Sequence, residues 1–438
     1  MTETPILIID PSCASTHGHH LKSLEDLLAA IAPRAAVLLV NAGLPRAAFA
    51  GEPGLEVHRA FKVTVYDEPG LGPRPNERLQ RRLWKFKKSV LAADNAVRHA
   101  FTRTRARLAP KDTALAAALE DWAWSRWRVK WPELEGALEP VVRAPVAHIV
   151  APSADVELIC GLVDLRAGLP HLERSQIHAR IISPSAALAR LALPDSASPS
   201  LRARHACRMS GVHLYVETAA MQRHVRETYG LVSEVYPYLL APPKFDPATV
   251  GTDPRRVAFG YFGAKRNEKG FKRLVPILTA AAVGRRAVDP ALSFFVHASD
   301  ATPDEGDELR RAFDAVAGLG LAVEVVTGAL SEAEYGRHFA GIDATLLPYT
   351  GTRYALSGSG IVCEALALGK AVIMSKGLSF AEICHPDTAI EADSDEAFGA
   401  AILTMARDIG RYRAAAAARA VAYAAEVGSC ALLKRLAQ

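Results

Sequence analysis

Residues 342–382, IDATLLPYTGTRYALSGSGIVCEALALGKAVIMSKGLSFAE, leave this chain few folds to choose from. The apolar run at 342–347 reads as a buried strand stopped by Pro348. A polar, glycine-rich loop follows at 349–359. A short helical run at 360–368 is then closed by Gly369 at the position just past the helix, where a left-handed turn favours glycine. A second apolar run at 371–374 completes a strand–helix–strand unit. Strands joined by such a crossover lie parallel, and the connection is right-handed almost without exception. The loop before the helix therefore sits at the carboxyl end of a strand, where open α/β sheets take their ligands.

The chemistry of that loop suits an anion. Ser357-Gly358-Ser359-Gly360 places small residues where backbone N–H groups and the positive end of a helix point outward. Glycine lets a phosphate approach the main chain closely. Glu364 lies four residues after Gly360, one turn along the same face. A carboxylate only accepts hydrogen bonds, so it can take both hydroxyls of a ribose diol. Phosphate at the helix tip with a diol one turn away describes a nucleotide diphosphate.

The remainder of the chain repeats the α/β pattern. Its 438 residues suit two domains, and half of them are hydrophobic, enough for a core in each. Strand-like runs occur at 6–9, 37–40, 146–150, 175–183 and 212–218, with helical spacing at 21–31 and 219–229. Residues 235–247 carry four prolines and no periodic pattern, which marks a boundary. A second series starts at Val257, with strands at 257–263, 292–297 and 323–326 and helices at 271–283, 309–316 and 332–339. The expected architecture is α/β, two Rossmann-like α/β/α domains facing each other across a cleft. Residues 1–240 form the N-terminal, acceptor-side domain with a helical insertion at about 76–135. A linker at 241–254 leads to a donor domain at 255–410. The helices of 411–438 follow and could pack back on the N-terminal domain.

Charge and cysteine use exclude several classes. The net charge of +5 does not by itself imply nucleic acid, and no nucleic-acid partner is expected. Six scattered cysteines without a C-x-x-C pair read as a reduced, cytoplasmic chain. No apolar run of transmembrane length and no signal peptide are expected. Residues 78–107 stand apart: ten Lys or Arg face Asp94 alone, a charge of +9, with Trp84 and Phe86 interleaved. Trp122, Trp124, Trp127 and Trp131 follow. A basic helix with aromatics can lie on an anionic membrane, making the protein peripheral on the inner membrane face. The plainer reading, preferred here, is a solvated face whose aromatics pack into their own domain.

Other residues offer candidate chemistry. The loop 264–270, AKRNEKG, follows the first strand of the second series and so opens on the same sheet edge. Its Lys265, Arg266 and Lys269 could neutralise a leaving diphosphate without a metal. His17, His19 and His20 follow the first strand and could line the acceptor side, but neighbouring loop positions rarely aim three imidazoles at one ion, so no metal is expected. Asp393-Ser394-Asp395 spells a metal-dependent transferase motif, yet it precedes a helical run where such residues are ordinary caps. A dinucleotide fingerprint begun by Gly358 and Gly360 fails at Cys363.

The ordered set Gly263, Arg266, Lys269, Gly270, then DATLLPY at 343–349, then SGSGIVCEALALGKAVI at 357–373 resembles the C-terminal domain of family-4-type, retaining glycosyltransferases of the GT-B fold. The likeness is good over about 257–375 and only topological elsewhere. It implies that Arg266 and Lys269 bind the donor diphosphate, with Gly263 opening their loop. It also implies that Gly358, Ser359, Gly360 and Ile361 meet the phosphates, and that Glu364 holds the ribose. The family's first Glu of a Glu-x7-Glu pair is here Leu356, which departs from the pattern at the sugar end. His178 resembles a family histidine that faces the donor sugar, beside the alternative of a satisfied core histidine. The implied activity is a metal-independent hexosyltransferase of polysaccharide biosynthesis, needing no cofactor, with a nucleotide-diphosphate-sugar donor and a carbohydrate or lipid-linked acceptor. A nucleotide-sugar epimerase or hydrolase, or a non-catalytic sugar-nucleotide-binding scaffold, are the alternatives.

Overall fold

The structure is a computed structural model and describes residues 5–14, 19–67, 124–192, 199–236, 256–351, 353–384 and 386–438. They fall into two compact units: Met1–Val216 with Gln222–Tyr236 and Arg435–Gln438, and Glu217–Met221 with Pro237–Lys434. The segments at 78–107 and 241–254 and residue His17 lie outside the described residues.

The first unit runs β1 (Ile6–Asp10), α1 (His19–Ile31), β2 (Ala36–Asn41), β3 (Leu55–Phe61), α2 (Trp127–Lys130), α3 (Leu134–Leu138), β4 (His148–Ala154), α4 (Val156–Gly168), β5 (Gln176–Ile181), α5 (Pro199–Met209), β6 (Val212–Val216), α6 (Ala219–Tyr229) and β7 (Glu234–Val235). Its strands pair in parallel in the order β3-β2-β1-β4-β5-β6-β7. Central β1 is buried throughout, as its unbroken apolar run requires. Edge strand β3, LEVHRAF, is mostly half-buried, which is why no apolar run announced it.

The described tryptophans belong to this core. Trp124, Trp127 and Trp131 are buried. The Trp127 indole N–H donates to Asp164 (2.8 Å) and that of Trp131 to Asp155 (3.2 Å). Asp155 also caps α4 by accepting from the Leu158 N–H and pairs with Lys130 at 2.7 Å. One carboxylate thus ties the aromatic stretch to a helix start. These three rings are buried in protein, as the plainer reading has it, while the membrane expectation rests on 78–107, outside the described residues.

The second unit runs β8 (Arg256–Gly263), α7 (Leu274–Gly284), β9 (Ala291–Ala298), α8 (Pro303–Ala317), β10 (Ala322–Thr327), α9 (Glu332–Gly341), β11 (Ala344–Leu347), α10 (Gly360–Ala367), β12 (Ala371–Ser375), β13 (Ala389–Ala392), α11 (Asp395–Arg407), α12 (Ile409–Gly428) and α13 (Ala431–Leu436). Its parallel sheet has the order β10-β9-β8-β11-β12-β13. Thr302 with Glu305 and Ser331 with Glu334 form capping boxes, so α8 begins a turn and a half earlier than its apolar spacing predicts. Ser394 accepts from the Ala397 N–H at the start of α11, and Asp395 pairs with Arg273 at 2.7 Å. The motif spelled by 393–395 is thus a helix cap and an ion pair.

The expectation of no run of transmembrane length needs amending. Among the described residues one helical run, Ile409–Leu436, is long and apolar enough to cross a membrane by length and composition, because alanine dominates it. One side of it packs on the second unit: Tyr412, Ala416 and Tyr423 are buried, Arg413 pairs with Asp343 at 2.8 Å, and Arg419 donates to the Ile383 carbonyl. The terminal residues Arg435–Gln438 group with the first unit, where Arg435 pairs with Glu234 and donates to the Tyr215 hydroxyl.

Candidate functional site

Strand order alone locates the site of the second unit. From β8 the chain moves outward through β9 and β10, then returns to β11 on the other side of β8 and continues to β12 and β13. The direction of winding therefore reverses between β8 and β11, and a parallel sheet opens a crevice at the carboxyl ends of such a pair. The loops leaving these two strands are 264–270 and 349–359, the two stretches singled out in the sequence.

The two loops brace each other. The Thr350 N–H donates to the Glu268 carbonyl (2.9 Å) and its hydroxyl to the Asn267 carbonyl (3.0 Å). Arg273 donates to the Pro348 carbonyl and to the Ser375 hydroxyl, each at 3.1 Å. Gly263 ends β8 with φ +126°, and a Cβ there would meet the Lys269 ammonium at 2.8 Å. The glycine thus leaves room for the cation at the strand's end. Arg266 stands more exposed, 3.3 Å from Glu268.

The opposite wall is the start of α10. Ser359 at its N-cap makes no side-chain cap, so no serine hydroxyl competes for the first-turn N–H groups. A Cβ at Gly360 would meet nothing within 4 Å. The Gly358 N–H already donates to an anionic partner in the same unit, the Glu217 carboxylate, at 3.0 Å. A loop whose N–H holds a carboxylate oxygen has the polarity a phosphate needs. Glu364 follows one turn on and accepts from the Tyr335 hydroxyl at 2.5 Å. Gly263, Lys269, Arg266, the 358–361 tip and Glu364 thus all belong to the crevice side of β8 and β11.

Two residues of this neighbourhood carried no sequence signal. Tyr335 meets Glu364 only because α9 and α10 pack together. His297, at the end of β9, donates through Nε2 to the Gly328 carbonyl (2.8 Å), while its buried Nδ1 has no hydrogen-bond partner among the described residues. Burial lowers its pKa, keeping the ring neutral and Nδ1 an acceptor.

In the first unit the winding reverses between β1 and β4. At their carboxyl ends His20 contacts Ser153 Oγ through Nδ1 and the Tyr66 hydroxyl through Nε2, both at 3.1 Å, with Asp10 3.6 Å from Nδ1. His20 thus lies where a ligand of this unit would sit, and α1 starts at His19.

His178 requires a correction. It is 1% exposed, in the first half of β5, with Nε2 3.1 Å from His148 Nδ1 and Nδ1 3.1 Å from the Tyr215 hydroxyl. His213 stacks on its ring at 5.0 Å. Burial, then the neighbouring imidazoles, push its pKa down to about 3. It is a satisfied core histidine with no face for a sugar. Among the described residues no group of three His, Cys, Asp or Glu could hold a metal ion.

Comparison with solved structures finds related folds. HepE from Anabaena, in complex with UDP and glucose, matches at a TM-score of 0.55 and 14% identity, covering 100% of both chains. The fold is GT-B. Sucrose-phosphate synthase from Thermosynechococcus elongatus shares this GT-B architecture at a TM-score of 0.55 and 14% identity, over 99% of each chain. An E. coli structure described as trehalose-6-phosphate bound with UDP-2-fluoro glucose matches at 0.59 and 10%, again over 99% of each. No family model matches the chain, and no curated protein does. At these identities the likeness establishes the GT-B fold and nothing finer.

Proposed function

We propose that the chain is a glycosyltransferase of the family-4, retaining type, moving a hexose from a nucleotide-diphosphate donor to a carbohydrate or lipid-linked acceptor without a metal. The observation that carries this reading is the crevice between β8 and β11. There a basic loop, Arg266 and Lys269, shares one sheet edge with an uncapped helix start and with Glu364 one turn along. The second unit holds the donor, with the ribose diol on Glu364 and the diphosphate on the 358–361 N–H groups. Breaking the anomeric C–O bond sends an electron pair onto the diphosphate oxygen. Arg266, Lys269 and the helix tip stabilise that growing charge. The acceptor is assigned to the first unit, near His20. HepE with UDP and glucose, and the UDP-2-fluoro glucose complex, support a UDP-sugar as the donor to try first.

Leu356, in place of a carboxylate, favours one second reading: a sugar-nucleotide-binding protein that performs no transfer. A cytoplasmic place in polysaccharide synthesis, with 78–107 against an anionic membrane, extends the leading reading. The test is a thermal-shift screen of UDP-, GDP- and ADP-sugars in EDTA, followed by nucleotide-release assays with and without candidate acceptors. Stabilisation with acceptor-dependent release and a product of unchanged anomeric configuration is expected. Release without acceptor indicates a hydrolase, binding without release a scaffold, and binding to none overturns the proposal.

A further inference from the structure

Tyr335 belongs to none of the roles assigned so far, yet its hydroxyl lies against the Glu364 carboxylate. Its ring is fixed from two sides, edge-on to Phe262 (centroids 5.3 Å) and tilted on Phe339 (5.8 Å). Its hydroxyl crosses from α9 to α10 and donates to Glu364 Oε2 at 2.5 Å. Burial, then the charge of Glu364, hold the phenol protonated far above the usual range, so it remains a donor at every working pH.

We propose that Tyr335 is a positioning residue for donor recognition: its hydroxyl orients the Glu364 carboxylate toward the ribose diol. This rests on the nucleotide-diphosphate reading of the same crevice. A glutamate side chain rotates about three bonds, and a diol demands one orientation of its two oxygens. Tyr335 removes that freedom before ligand arrives, because its own ring is locked by Phe262 and Phe339. The phenol gives Glu364 a hydrogen bond and keeps its own proton. Tyr335 touches neither the sugar nor the diphosphate in this scheme, so its effect belongs to binding and not to the chemical step.

The test uses the full chain and the variant Tyr335→Phe, which keeps the ring packing and deletes only the hydroxyl. Calorimetry measures UDP, GDP and ADP, and the 2′,3′-dideoxy form of whichever binds, on wild type, Tyr335→Phe and Glu364→Ala. Losing a hydrogen bond to a charged group should weaken the ribonucleotide about tenfold in Tyr335→Phe. The dideoxy form should bind wild type and Tyr335→Phe alike, and in turnover the donor KM should rise with kcat kept. A loss shared equally by ribo and dideoxy forms means general distortion and overturns the inference. Unchanged ribonucleotide affinity beside a weakened Glu364→Ala also overturns it while leaving the nucleotide reading intact. No binding of any of the three nucleotides by wild type sinks that reading and the inference with it.

Discussion

Gly270 rests directly against the carbonyl of Pro348: a Cβ at position 270 would lie 1.8 Å from that oxygen. The residue holds φ at +69°, in the left-handed region, at the end of the short turn Asn267–Lys269. It lets the loop after β8 lie flush on the loop after β11, and that contact builds the crevice. Gly270→Ala adds backbone strain of about 1–3 kcal/mol to a clash with backbone that has no rotamer to yield. The expected result is a lower urea midpoint together with lost nucleotide binding. Wild-type values of both would show that the two loops do not depend on this contact.

Lys269 and Gly263 act as a pair. Lys269→Ala should lower kcat/KM by about 10²-fold or more, as loss of a charge-stabilising donor does. A half-buried lysine outside the core should leave stability within about 0.5 kcal/mol. Gly263→Ala would push the same ammonium aside and should reproduce part of the defect. Equal activity in wild type and Lys269→Ala would remove this cation from the diphosphate site.

Gly399 separates propensity from packing. In an exposed helix, glycine to alanine gains about 1 kcal/mol. Here a Cβ would meet Ala280 Cβ and the Ala281 nitrogen, both at 2.8 Å, where α11 lies on α7. Overpacking of this kind costs about 1–3 kcal/mol. Gly399→Ala should therefore lower Tm despite its helix propensity, and a raised Tm would show that α7 yields without strain.

Stability should fall in acid through the histidine ladder of the first unit. His178 titrates near 6.5 when unfolded and at about 3 when folded. Its neutral burial therefore contributes fully above pH 6.5, and the contribution is lost as pH falls from there toward 3. His148 and His213 shift downward as well, and Arg435, paired with Glu234, adds positive charge beside them. Unfolding followed between pH 7 and 3 should show a shallower slope for His178→Gln than for wild type. Identical slopes would place the acid sensitivity elsewhere.

Much of the candidate site was readable in the chain because it is local. Strand, glycine-rich loop and helix at 342–374 are contiguous, with Gly358 just before the helix and Gly360 and Glu364 one turn apart on it. Period and punctuation suffice for such features. His178 misled because a histidine on a strand reads the same whether its ring meets a ligand or two other histidines. Its partners His148 and Tyr215 lie 30 and 37 residues away.

By itself the sequence determined two parallel α/β halves, the loops at 264–270 and 349–359, and residue types suited to an anion and a diol. Backbone hydrogen bonding and hydrophobic period act over a few residues, so a linear reading captures them. Only the tertiary structure decided that β8 and β11 are neighbours, that Gly270 must accept the Pro348 carbonyl at its surface, and that Tyr335 reaches Glu364. Those outcomes depend on which strands pair and which helices pack, and long-range packing leaves no mark at either partner's position.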